Sequence, residues 1–156
     1  MGIPSVTIAA TLHLTFISLL LGLVLTEIIL ELLPVFQKDL KNSTIRFHFW
    51  IDFILELPLG ICVGISGIIL AFLVQELTVL HIVKISFASL ALLLGIVCIC
   101  RVVKRNRLLK INAGESEIAA EDVRLHATAG AIYILFVLVI ILGVYLSYNR
   151  VLSYYR

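Results

Sequence analysis

Four long apolar stretches dominate this sequence of 156 residues and restrict its fold more than any other feature. A membrane-spanning helix needs about 20 mostly apolar residues, and we predict spans at residues 3–33, 49–74, 79–102 and 127–148. The chain is 62% hydrophobic, and a soluble domain of this size could not bury so much apolar surface, because small domains leave much of their chain exposed. We therefore predict an all-α integral membrane protein, with residues 1–156 as one domain in contact with the lipid bilayer.

Short connections between the spans indicate how the helices are arranged. Consecutive helices joined by short loops pack antiparallel, so the predicted architecture is an up-down-up-down four-helix bundle. The first apolar stretch is not expected to be a signal peptide, since no basic residue precedes it and it runs well past 15 residues. It is instead the first span, and its length requires it to tilt or to protrude from the bilayer.

The basic residues predict the orientation of the bundle. Arg150 and Arg156 lie on one side and Lys84 lies inside the third span, whereas the other nine lie around the first and third connections. These nine are Lys38, Lys41, Arg46, Arg101, Lys104, Arg105, Arg107, Lys110 and Arg124. Basic loops stay in the cytoplasm, so both termini are predicted outside, in a prokaryotic cytoplasmic membrane. The net charge of +2 is then a topology signal, and no nucleic-acid partner is expected.

An acidic, helix-prone segment, "INAGESEIAAEDVR", follows the basic residues of the third connection. Its composition predicts a short surface helix between the third and fourth spans.

The four histidines belong to four different spans. His13 and His81 lie in the outer halves of the odd-numbered spans, and His48 and His126 lie at the cytoplasmic ends of the even-numbered ones. A haem held by two histidines needs imidazoles that face each other from two helices. We therefore predict His13 with His81, and His48 with His126, as ligands of the iron in an outer and an inner haem. Two such haems would let electrons cross the bilayer.

The opening stretch "LHLTFISLLLG", the number of spans and the placement of the histidines carry a family resemblance. The chain resembles the small four-helix b-type cytochromes of the cytochrome b561 type. It is similar, more distantly, to the copper-resistance D type and to the short membrane protoporphyrinogen oxidases. The resemblance implies haem b, bound non-covalently, and electron transfer between quinol and a partner redox subunit. Any enzyme activity would be that of a quinol-linked oxidoreductase subunit. No Cys-x-x-Cys-His motif is present, so covalent haem is not expected.

A stripe of ionisable residues lies within the predicted membrane segments. His48, Asp52 and Glu56 follow one another at four-residue intervals in "RFHFWIDFILELPLG", and Glu27 and Glu31 repeat the spacing in the first span. Residues four apart share one helix face. Because a charged side chain facing lipid is costly, we expect these groups to converge, together with the inner histidines, inside the cytoplasmic half of the bundle.

Three interpretations of the carboxylates follow. Glu56, Asp52 and Glu27 would transfer protons or form a quinol site beside the inner haem. Alternatively, the acidic residues and histidine would bind iron or manganese, which accept such ligands. In the third interpretation they pair with Lys84 or with another chain, and the protein is a non-catalytic accessory subunit of a membrane respiratory complex. Pro58 lacks a backbone N–H, so a kink is expected near Glu56.

Overall fold

The computed structural model describes residues 3–73 and 77–154, and the regular structure in these ranges is helical. Val74, the predicted end of the second span, and Arg156 lie outside the described residues. The helices are α1 (Ile3–Phe36), α2 (Lys41–Ile51), α3 (Leu57–Leu73), α4 (Val79–Lys110) and α5 (Glu115–Tyr154), with a 3₁₀ turn at Lys38–Leu40 and a π-helical turn at Asp52–Glu56.

Within the described ranges, four helices are long and apolar enough to cross a membrane. They are α1, the continuous helix formed by α2, the π turn and α3, and then α4 and α5. This confirms the prediction of an all-α integral membrane protein.

The helices extend beyond the predicted spans. The second helix begins at Lys41 and the last at Glu115, while α4 continues to Lys110. Hydropathy detects the lipid-facing part of a helix, but a helix continues wherever one face can be buried. Ile118, for example, is buried in the first turns of α5. The acidic segment predicted as a separate surface helix is therefore the start of α5.

A tight turn connects α4 to α5. Asn112 adopts a left-handed backbone conformation with φ of 50°, which asparagine tolerates better than most residues. The N–H of Ala113 donates to the carbonyl of Leu108 at 3.0 Å, and this bond satisfies a carbonyl at the helix end. The turn allows α5 to pack along α4.

Packing is closest between α4 and α5 and between α1 and α3, and α2 joins the two pairs by contacting both α1 and α4. A small apolar core formed by Cys98, Val102 and Leu125 lies between α4 and α5, and Phe49 and Ile132 pack against it.

Among the described residues, many large apolar side chains are exposed and many polar side chains are buried, the reverse of the pattern in a soluble protein. Leu14 is 63% exposed and Phe72 is 86% exposed, as expected where lipid covers the helices. The buried set, in contrast, contains as many polar or charged residues as apolar ones: Glu27, Thr44, His48, Asp52, Ser66, Arg105, Asn106 and Glu121. Since buried polar groups are costly without partners, they indicate where a functional site lies.

The π turn lies within the predicted stripe of ionisable residues. The N–H of Leu57 donates to the carbonyl of Asp52, five residues earlier. Pro58 follows at once and has no N–H to donate to Ile54. The backbone irregularity predicted near Glu56 is thus a π turn, a feature that often occurs at functional sites.

Candidate functional site

His48 is the centre of a buried group of ionisable side chains, here called the His48 cluster: Glu27, Glu31, His48, Asp52 and Arg105. The His48 ring hydrogen-bonds through Nδ1 to Glu31. Its Nε2 lies 3.1 Å from Oδ1 of Asp52 and 3.9 Å from Oε2 of Glu27. A neutral imidazole has a single N–H. A ring with carboxylates at both nitrogens is therefore suited to carry a positive charge or to bind a cation at one nitrogen.

Arg105 lies on α4 and connects the cluster to Asp122 on α5. It is 1% exposed, and its Nη2 and Nη1 donate to Oε1 and Oε2 of Glu31 at 2.5 and 3.2 Å. Nη1 also donates to Oδ1 of Asp122 at 3.1 Å, and Nη2 lies 3.1 Å from Nδ1 of His48. A guanidinium that donates to both oxygens of a carboxylate fixes its position and orientation. Arg105 therefore holds Glu31 against the His48 ring.

Asp52 and Glu27 retain oxygens without hydrogen-bond partners. Asp52 is 1% exposed, and beyond the approach of His48 Nε2 to Oδ1 at 3.1 Å neither of its oxygens has a hydrogen-bond partner among the described residues. Oε1 of Glu27 also has no partner there. An unsatisfied buried oxygen costs about 1–3 kcal/mol, and more when it is charged. A cation bound between these side chains would remove that cost.

The charges of the cluster show that it needs additional positive charge. Glu56, at the end of the π turn, interacts electrostatically with Asp52 and Glu27. With Glu31, four carboxylates therefore lie close to two cationic groups, Arg105 and His48. The missing positive charge must come from protons or from a bound metal ion, since uncompensated buried charge is strongly unfavourable.

A half-open cavity of about 240 Å³ adjoins the cluster. Glu31, Arg105 and Asp122 line it, together with Lys41 and His126. Lys41 also pairs with Asp122 at 3.3 Å. The cavity gives the cluster a polar opening near the basic connections.

The other three histidines have separate environments. Nδ1 of His13 hydrogen-bonds to the Ser66 hydroxyl at 2.9 Å. Nδ1 of His81 accepts from the N–H of Thr78 at 3.3 Å, in a capping box at the start of α4. Nδ1–H of His126 donates to a carbonyl of its own helix at 2.6 Å. The pairing of His13 with His81 and of His48 with His126 around haem iron stays a prediction.

The structure brings together Glu27, Glu31, Asp52 and His48, with Glu56 beside them. Lys84 directs its ammonium group towards Gly143 on α5, and no ion pair joins it to Glu56 among the described residues. The interpretation that these two groups pair with each other is therefore wrong for this structure.

Arg105 was not predicted as a site residue from the sequence, because it was counted only among the basic residues that indicate orientation. The sequence nevertheless contains a pattern that predicts its burial. Cys98, Val102 and Arg105 follow one another at spacings of four and three, which places them on one helix face. The arginine therefore continues the buried face of α4.

A second ionic group lies between α4 and α5. It is called the Glu121 cluster here and consists of Arg101, Lys104, Glu121 and Arg124. Oε1 of Glu121 accepts from Lys104 at 2.6 Å and from Arg124 at 2.9 Å, and Arg101 lies 3.7 Å from Oε2.

Comparisons with known proteins gave no match to a family model, to a curated protein or to a solved structure.

Proposed function

We propose that this chain is a membrane protein that binds a divalent metal ion in the His48 cluster, with Glu27, His48 and Asp52 as ligands. One observation carries the proposal: ligand atoms of these three buried side chains all lie within 4.8 Å of one another. Donors about 2.1 Å from one ion are at most about 4.2 Å apart, so small side-chain movements would complete the site.

The surroundings of His48 fit this role. Histidine ligands of metals usually donate their second ring N–H to a carboxylate, which fixes the tautomer and orients the ring. Glu31 occupies that position at Nδ1, and Arg105 holds Glu31 in place. Nε2 then faces Asp52 and Glu27 as the ligand atom.

The donor set indicates the class of metal. One imidazole nitrogen with carboxylate oxygens suits manganese or ferrous iron, whereas soft copper sites use sulfur ligands. The thiol of Cys98 is packed in the apolar core with Val102 and Leu125. Mn²⁺ and Fe²⁺ are therefore the ions to test, with access through the cavity beside Glu31.

The proposed topology is up-down-up-down, with the basic connections in the cytoplasm and both termini outside. The ion pair between Lys41 at the start of α2 and Asp122 in the first turns of α5 supports this, because it brings the two basic connections to one end of the bundle. The metal would then be reached from the cytoplasm.

Metal analysis of the purified protein tests the proposal. Protein reconstituted in lipid nanodiscs would be loaded with Mn²⁺, freed of unbound ion and analysed for bound metal. We expect about one ion per chain, and a loss of at least about tenfold in affinity for Glu27→Gln, Asp52→Asn and His48→Gln. Glu117→Gln is the matched control, because Glu117 is exposed in the first turn of α5. Equal metal content in all variants would refute the site.

A second candidate function is haem-b electron transfer, in which the protein exchanges electrons with quinol and a partner subunit. The bond between His13 Nδ1 and Ser66 favours it, because it orients the ring with Nε2 as the ligand atom. An apolar groove of about 480 Å³ includes Ser66 and the adjacent faces of α1 and α3. Glu56, Asp52 and Glu27 would then transfer protons. A Soret band in the purified protein would support this candidate, and a colourless protein that binds Mn²⁺ would reject it.

A further inference from the structure

The Glu121 cluster has an excess of positive charge. Three cationic side chains from two helices converge on one carboxylate: Arg101 and Lys104 from α4, and Arg124 from α5. Glu121 is 3% exposed and compensates only one of the three charges. The cluster therefore carries a net charge of +2, which differs in sign from the neighbouring His48 cluster.

Donors of the cluster remain available. The Arg101 side chain is 31% exposed, and its Nε has no hydrogen-bond partner in the part of the chain that the structure describes. The side chains of Lys104 and Arg124 are 56% and 59% exposed, so both can contact a ligand from outside while they remain bonded to Glu121. An anion with several acceptor oxygens could accept from these accessible side chains at once and would compensate the excess positive charge.

The position of the cluster indicates the source of that anion. Arg101 lies where the apolar part of α4 gives way to its basic end. One turn earlier on the same face, Val97 is 42% exposed, and Cys100, one turn before Lys104, is also exposed. The cations are thus at the end of a lipid-facing surface, at the level where phospholipid phosphates lie.

We propose that the Glu121 cluster binds the headgroup of an anionic phospholipid. Arg101, Lys104 and Arg124 donate to the phosphate, and the acyl chains lie along the exposed surface of α4 below it. Glu121 gathers the three cations at one point, which concentrates the positive charge more than scattered surface lysines would. The proposal is independent of the metal site.

Lipid retention by the purified protein tests this site. The protein would be reconstituted in phosphatidylcholine nanodiscs with and without phosphatidylglycerol, extracted in mild detergent and examined by native mass spectrometry. We expect one phosphatidylglycerol to remain bound, and the variant with Arg101, Lys104 and Arg124 all changed to Gln to retain it at least about tenfold more weakly.

The matched control changes the same amount of charge at exposed positions of the same membrane face: Arg46, Arg107 and Lys110, all to Gln. It should keep most of the bound lipid. Equal loss in the two triple variants would reduce the effect to general surface electrostatics and overturn the site. Because Arg124 is largely exposed, the single variant Arg124→Gln keeps the test valid if the triple variant does not fold, and unchanged retention in it would also count against the proposal.

A phosphate group could come from a lipid headgroup or from free phosphate in solution, and competition with inorganic phosphate distinguishes the two. If phosphate in solution displaces the bound phosphatidylglycerol at low concentration, the headgroup alone is recognised and the role of the acyl chains is refuted. Retention of the lipid in excess phosphate is the expected result. Retention of phosphatidylcholine as strongly as phosphatidylglycerol would refute recognition of the negative charge.

Discussion

Arg105 on α4 and Glu31 on α1 are separated by 74 positions in the chain, and Nη2 of one lies 2.5 Å from Oε1 of the other. Both are at the junction where α1, α2, α4 and α5 approach one another, since Glu31 also bonds to His48 and Arg105 to Asp122. This pair therefore ties His48, the proposed metal ligand, to the packing of the helices.

Loss of Arg105 should destabilise the protein more than loss of any exposed arginine. Arg105→Ala leaves Glu31 and Asp122 without their buried partner, and removal of one member of such a pair costs about 3–5 kcal/mol. Denaturant unfolding of the reconstituted protein would measure the change. Arg107→Ala, at an exposed position two residues further along, is the control and should stay within about 0.5 kcal/mol of wild type. Similar stabilities would contradict the structural role given to Arg105.

Glu31 should control metal affinity without being a ligand. Glu31→Gln replaces the carboxylate that orients His48, and changes of this kind typically cost about 10–100-fold in affinity. Glu31→Asp should recover part of the loss, because it restores the charge. Isothermal titration calorimetry with Mn²⁺ gives the affinities. The electron paramagnetic resonance spectrum of bound Mn²⁺ would show whether the ligands have changed. An affinity for Glu31→Gln equal to that of wild type would exclude a positioning role.

The π turn should tolerate a deletion that a regular helix does not. A π turn contains one residue more than the corresponding α-helical turn. Deletion of Ile54, an exposed residue, would therefore restore α-helical spacing while it keeps the flanking helices in register. We expect a folded protein with much weaker metal binding, because Asp52 belongs to the turn that the deletion rebuilds. Deletion of Ile69 in α3 is the control and should rotate the rest of the helix and disrupt folding. Unchanged metal affinity after the first deletion would remove the role of the turn.

Haem binding can be tested separately from metal binding. If His13 holds an outer haem, His13→Ala should lose that haem and keep the inner one, as measured by the Soret absorbance per chain. Glu56→Gln should keep the haem content and slow turnover with quinol, since it removes a proton-transferring carboxyl group. Full haem content in His13→Ala would reject that ligand, and an unchanged quinol rate would reject the role of Glu56.

Labelling of single cysteines should show the sidedness. In a variant without the three native cysteines, Arg107→Cys should react with a membrane-impermeant maleimide only in broken cells, and Tyr148→Cys should react in intact cells. The excess of basic residues near Arg107 is the reason for this expectation. The reverse pattern would invert the topology.

Several elements of the site could be predicted from the sequence. The spacing of His48, Asp52 and Glu56 placed three ionisable groups on one helix face, and the cost of exposing them to lipid predicted that they would lie inside the protein. Glu27 and Glu31 were expected to join them, and the structure places both beside His48. Helix lengths were underestimated, because hydropathy does not detect the amphipathic ends of helices.

The sequence by itself determined that the protein is helical, lies in a membrane and carries ionisable groups away from lipid, because apolar length and residue spacing are local properties of the chain. Only the tertiary structure decided that Arg105 is the partner of Glu31, that Lys84 is not the partner of Glu56, and that two clusters of opposite charge lie close together. The reason is physical: which ion pairs form depends on how each helix is rotated about its axis and which helices are neighbours, and both follow from packing among residues far apart in the chain.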